Sequence, residues 1–150
     1  MAAALSAHCF LWRGAGILPL LPFRGLFSGN IKLTDARNLL LPATTQKEGC
    51  YQSMFQGCAS LTETPELPAE VLKEGCYKGM FQDCESLESV TCLATPGKGA
   101  FTKDWMRGVA DEGIFYKAAG VTVGSGTSGR YWPRNDNGIP VGWDEEYYEE

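Results

Sequence analysis

The sequence predicts an α/β solenoid with a 26-residue period and a C-terminal capping segment, and three observations carry the prediction. Residues 41–66 recur as residues 67–92, with 14 of the 26 columns identical: Leu-Pro-Ala, Lys-Glu-Gly-Cys-Tyr, Met-Phe-Gln, Cys and Ser-Leu. The leucines keep fixed offsets, and the period falls in the range of roughly 20–29 residues used by stacked units that cannot bury their apolar face alone. The repeat then lapses toward the C terminus, as expected where the outer face of a stack meets water.

Within the first clear unit, Cys50, Met54 and Cys58 stand at i, i+4 and i+8 with Tyr51 and Phe55 beside them. At about 100° per residue this is one apolar stripe of a helix. Cys76, Tyr77, Met80, Phe81 and Cys84 repeat it. After each helix, Ser-Leu opens a short extended stretch in which Leu61 and Leu67, and one rung on Leu87 and Leu93, point inward. Pro65 removes a ladder donor and keeps any strand there brief. Leu-Pro-Ala then turns the chain toward the next unit, because proline holds the preceding residue extended. Stacking in register puts Leu61 over Leu87, Cys50 over Cys76 and Phe55 over Phe81.

The flanks follow from the same register. Residues 26–34 read like residues 54–62 displaced by 28, with Asn30 in place of the cysteine, so residues 23–101 are assigned to the repeats. Residues 1–22 fit no register and are unassigned, read as a poorly ordered start or a truncated reading frame. Residues 102–143 form the C-terminal cap. There Met106 falls one full period after Met80, and residues 102–109 read as a short helix with Thr102 as its N-cap. Residues 113–118 read as a strand and residues 120–129 as an exposed Gly/Ser loop. Trp105 and Trp143 are expected to close the open end of the core. Residues 144–150, Asp-Glu-Glu-Tyr-Tyr-Glu-Glu, form a solvated acidic tail.

Composition narrows the function. The chain has 150 residues, 44% of them hydrophobic, and a net charge of −5. That size suits one globular domain. The acidic balance argues against a nucleic-acid partner, which requires a clustered basic face. No apolar run approaches the ~20 residues of a membrane span; the longest, residues 16–23, carries two prolines. The first ten residues lack the Lys or Arg of a secretory n-region, so no export signal is read there.

The six cysteines invite a metal or redox reading, yet the eight-residue spacing of Cys50/Cys58 and of Cys76/Cys84 matches neither zinc sites nor CxxC pairs. They are read as small buried hydrophobes, with a Cys84–Cys92 or Cys58–Cys84 bridge as the alternative. His8 is the single histidine, which leaves no base for a Ser or Cys nucleophile and no histidine metal cluster. Asn135-Asp136-Asn137-Gly138 lacks the remaining ligands of a calcium loop and reads as a tight turn. Residues 124–129 lack the Lys of a phosphate loop and read as a linker. Trp132 is expected to pack on the cap, while Tyr131 and Tyr147-Tyr148 could serve as contact residues of a sugar or protein site. No catalytic, cofactor-binding or metal-binding residue is assigned.

The run Gly-Cys-Tyr-x-x-Met-Phe-x-x-Cys-x-Ser-Leu followed by Leu-Pro-Ala closely resembles the BspA-like, Treponema-type leucine-rich repeats of bacterial surface proteins. The resemblance is specific over residues 41–92, weaker over 23–40, and extends to the ending around Trp105, Lys117-Ala118-Ala119-Gly120 and Gly138-Ile139-Pro140-x-Gly142-Trp143. It implies a right-handed leucine-rich-repeat solenoid with short parallel strands on one face. It further implies an extracellular or cell-surface location and adhesion to host matrix or cell-surface proteins, or to glycans, without catalysis. The alternatives are a structural end fragment of a longer solenoid and a phage-encoded host-recognition protein. Between rungs the core columns stay fixed while Thr62, Glu63, Glu66, Glu88 and Ser89 vary, and these five are the candidate partner-binding residues. A monomer is expected unless the N-terminal end of the stack is open.

Overall fold

A computed structural model describes residues 23–41, 48–95, 101–124 and 131–149. It corrects the expected fold class: among the described residues there is no helix, and the α/β solenoid gives way to turn-built rungs joined by short parallel strands. The apolar stripe is buried as expected, but it lies on overlapping β-turns. Gln52, Met54, Gln56 and Cys58 donate their N–H groups three residues back, to Gly49, Tyr51, Ser53 and Phe55. Between them, Gly49, Tyr51, Ser53, Phe55 and Gly57 donate across to the carbonyls of Glu74, Cys76, Lys78, Met80 and Gln82 in the next rung. A helix would direct all of these donors back along itself.

The backbone explains the choice. It turns left-handed at Gly49, Ser53 and Gly57 and again at Gly75, Gly79 and Asp83, every fourth residue. Left-handed backbone costs roughly 1–2 kcal/mol for a residue with a Cβ, so glycine at four of these six positions favours this chain of turns over a helix. Residues 102–109, read as a capped helix, are turns as well as far as Gly108, with Asp104 and Gly108 left-handed. Thr102 is no N-cap there; its hydroxyl donates to the Asn137 carbonyl at 2.7 Å.

Rung spacing varies along the stack. Phe27 donates to Met54, which sets Phe27 against Phe55, as the displacement read from the sequence requires. Phe55 donates to Met80, whereas Phe81 donates to Trp105 and not to Met106, the residue one full period after Met80. The last rung is therefore shorter than the repeat by a single position, and Trp105, not Met106, takes the place of Met80.

After the turns, the rungs pair in parallel. Isolated bridges join Asp35 to Glu63, Glu63 to Ser89, and Leu67 to Cys92. Three strands continue the pairing in the order β1-β2-β5: β1 (Ser89–Cys92), β2 (Ile114–Lys117) and β5 (Asp144–Tyr147). β3 (Thr122–Val123) and β4 (Tyr131–Trp132) form a second parallel pair. Pro65 keeps the second rung to bridges on either side of it, as its missing N–H requires. Glu63 pairs with Ser89, its equivalent a full period on, but Leu67 pairs with Cys92, just short of its equivalent Leu93. The proline rung thus holds an extra position, and Cys92, not Leu93, takes the buried place beside Leu67.

The strand read at 113–118 is β2. The stretch read as an exposed loop contains β3, and the acidic tail is not a separate appendage, since its first four residues are β5, all exposed. The unassigned segment 1–22 with His8 and Cys9, the first Leu-Pro-Ala turn at 42–43 and most of the Gly/Ser linker lie outside the described residues.

Two aromatic columns run through the core. Phe23, Tyr51, Tyr77, Trp105 and Trp132 stack in succession at 5.7, 6.1, 6.0 and 5.2 Å. Phe27, Phe55 and Phe81 stack at 5.4 and 5.7 Å, and Phe81 then meets Trp105. Both columns thus meet at the Trp105 indole, and Trp132 stacks beyond it. Trp105 gives its Nε1–H to Gly138, and Trp143 gives its own to Ala110, so the two expected closing residues are buried at the C-terminal end with their polar atoms satisfied.

Candidate partner-binding face

The outer surface of the parallel sheet follows from strand alternation. β1 and β2 bury Val90, Cys92, Phe115 and Lys117 and leave Ser89, Thr91, Ile114 and Tyr116 partly exposed. In register, Asp35, Glu63, Ser89, Ile114 and Asp144 form one row across the rungs, and Thr91, Tyr116 and Glu146 form the next. A groove of about 630 Å³ opens along the second row, lined by Thr91, Tyr116, Glu146, Tyr147, Tyr148 and Glu149. That volume lies within the range of roughly 300–1,000 Å³ found for ligand sites.

Of the five residues expected from sequence, the structure joins one pair through their side chains: Ser89 Oγ donates to Glu63 Oε2 at 2.8 Å. Glu66 stands at the groove, accepting the Tyr148 hydroxyl at 2.7 Å across 82 residues of chain. Thr62 is committed to the neighbouring rung, with its N–H and hydroxyl both donating to the Thr34 carbonyl. Glu88 is exposed, and its N–H donates to the Thr62 carbonyl.

The rest of the groove was missed by comparing rungs. Tyr116, Glu146 and Glu149 lie where the repeat register had lapsed, so column variation could not single them out, whereas Thr91 lies in the second clear unit, in the varying column of Pro65, and was overlooked. Tyr147 and Tyr148 carried a signal as adjacent aromatics in an acidic segment.

Charge around this sheet is arranged by short contacts. On the first rung, the Arg37 guanidinium bonds Asp35 at 2.8 Å and holds its carboxyl below the usual carboxylate range, helped by the Arg37 N–H. Lys117 is buried beneath the sheet with its Nζ 4.4 Å from the centre of the Tyr147 ring. Arg134 pairs with Glu145 at 2.5 Å and also donates to the Pro140 and Trp143 carbonyls.

Inside the stack the thiols are inert by position. Burial pushes Cys76, Cys84 and Cys92 up to about 12 and raises Cys58. The five described cysteines are all thiols, none bridged to another, which sets aside both alternative bridges. Cys58 and Cys84 occupy the same place in successive rungs, and their Sγ–H groups donate to the Phe27 and Phe55 carbonyls, each at 3.1 Å. Among the described residues no group of three or more His, Cys, Asp or Glu is placed to hold a metal ion, and no helix is long and apolar enough to cross a membrane. No family model, no curated protein and no solved structure matches this chain.

Proposed function

We propose that this protein is a non-catalytic protein-binding or adhesion module that engages partners through the groove face of its parallel sheet. The observation that carries the reading is the groove itself, where three tyrosines and two glutamates line a concavity on a sheet backed by a stacked aromatic core. Tyrosine brings a large contact area at low entropic cost, and aromatic residues are enriched where interfaces hold their affinity. The resemblance of the repeat motif to BspA-like repeats supports a bacterial cell-surface or extracellular setting and a matrix or cell-surface protein as partner.

The test is capture by an array of purified matrix proteins, cell-surface proteins and glycans, using the full chain and a Tyr116→Ala/Glu146→Lys variant with unchanged thermal unfolding. The proposal expects capture by at least one protein and its loss in the variant. Equal capture by both proteins, or none by either, removes it.

A further inference from the structure

β5 is the outermost strand of its sheet: β2 covers one edge, and among the described residues no strand pairs with the other. Asp144 and Tyr148 donate their N–H groups to Gly113 and Lys117 on the β2 side. In a parallel ladder alternate residues face opposite edges, so the N–H and C=O groups of Glu145 and Tyr147 face the free side. The groove lies directly beside this edge, since Glu146 to Glu149 form four of its six lining residues.

The chemistry of the groove selects its occupant. Its lining offers two carboxylates and four hydroxyls, with Glu66 adjoining at Tyr148, and contains no cationic side chain. Ionised carboxylates only accept hydrogen bonds, so the ligand must bring donors. The tyrosine faces attract ammonium and guanidinium groups; the Tyr147 ring already holds Lys117 from beneath the sheet, which leaves Tyr116 and Tyr148 to receive the cations of a ligand. An exposed strand edge, in turn, asks for a donor and an acceptor repeated at strand spacing, which a peptide main chain supplies and a glycan does not. A second copy is a poor fit, because Glu145 is paired with Arg134 while Asp144, Glu146 and Glu149 would lie against the same carboxylates of the other copy, and like charges across a ladder repel.

From these observations we infer that the partner presents a basic, extended peptide segment that adds as a strand to the free edge of β5 and sets Lys or Arg side chains into the groove. The inference rests on the binding-face reading above and names the partner's chemistry.

The test uses the full chain and fluorescence anisotropy with labelled peptides of one length: alternating Lys-Val, alternating Glu-Val, and Lys-Val methylated at every internal backbone nitrogen. A neutral N-acetylglucosamine oligomer serves as competitor. The Lys-Val peptide is expected to bind, to weaken as salt rises, and not to be displaced by the sugar. The Glu-Val and methylated peptides should each bind at least roughly tenfold more weakly, and Glu146→Lys should abolish binding without shifting thermal unfolding. Equal binding of the methylated peptide would show charge attraction without strand addition and overturn the inference. So would absence of Lys-Val binding, or displacement by the sugar. If no peptide binds while array capture is still lost in the Tyr116→Ala/Glu146→Lys protein, the peptide inference fails and the binding face stands. If capture survives in that variant, the binding face itself fails.

Discussion

Ser53 sits at a position where the next rung has Gly79, and it holds φ at 55° against the preference of any residue with a Cβ. Ser53→Val should therefore destabilise by about 1–2 kcal/mol in urea unfolding, since a β-branched residue tolerates left-handed backbone worst. Ser53→Gly should fall close to the parent, because relief of strain is offset by the greater freedom of glycine in the unfolded chain. The buried thiols give a second residue-scale prediction. Cys76, Cys84 and Cys92 are held protonated up to about 12, from an ordinary value of 9.0. The unfolded chain ionises first as pH rises, so their contribution to stability is intact below the unfolded value and is lost between there and the folded one. Urea midpoints should hold near neutrality and fall on going from about pH 9 toward pH 12. At neutral pH a thiol reagent should label the five described cysteines only as fast as the protein opens.

At the scale of the element, the rung is held by bonds to its neighbours more than by its own conformation. Phe55 shows the consequence: it stacks on Phe27 and Phe81 and is fully buried. Phe55→Ala should cost about 3–5 kcal/mol, the range for truncating a core aromatic. Glu63→Lys and Glu66→Lys each remove a hydrogen bond at the surface, from Ser89 and Tyr148 respectively. Each should cost no more than about 1 kcal/mol, and chemical denaturation of the three variants side by side checks the contrast. A loss at Glu63 or Glu66 as large as that at Phe55 would mean that this face belongs to the core. The element scale is also where the sequence reading went astray. Over so short a stretch, helical and four-residue periods bury the same side chains, so Cys50, Met54 and Cys58 could not distinguish helix from turn chain. Gly49, Gly57, Gly75 and Gly79 could, because glycines four or eight residues apart are costly in a helix and supply left-handed turns observed here.

For the whole molecule, the C-terminal end of the stack is closed by aromatic side chains. At the C-terminal end both aromatic columns converge on Trp105, Trp132 stacks over it, and the side chain of Asn137 accepts the Asp104 N–H at 2.8 Å. Trp105→Ala removes the joint at which both columns meet. It should lower stability by about 3–5 kcal/mol and expose the remaining indoles, read as a red shift of tryptophan emission together with a lower melting temperature. Asn137→Ala, which removes only the hydrogen bond to the Asp104 N–H, should cost about 1 kcal/mol. The expected roles of Trp105, Trp132 and Trp143 agree with this arrangement, because large aromatics in a segment whose repeat has lapsed have few places to go except over the last rung.

Taken alone, the sequence determined the repeat, the offset of the first described rung, the buried columns, the strand at Ile114–Lys117 and the brevity of pairing around Pro65. Each of these follows from side-chain polarity, self-similarity or a missing N–H, which are properties local to the chain. Tertiary structure decided that the rungs are turns, that the last rung is cut short, and that the acidic end is a strand carrying Tyr148 back to Glu66. Those outcomes depend on where a backbone N–H finds its acceptor. A donor that can bond three residues back or one rung away is assigned only when the neighbouring rung is in place.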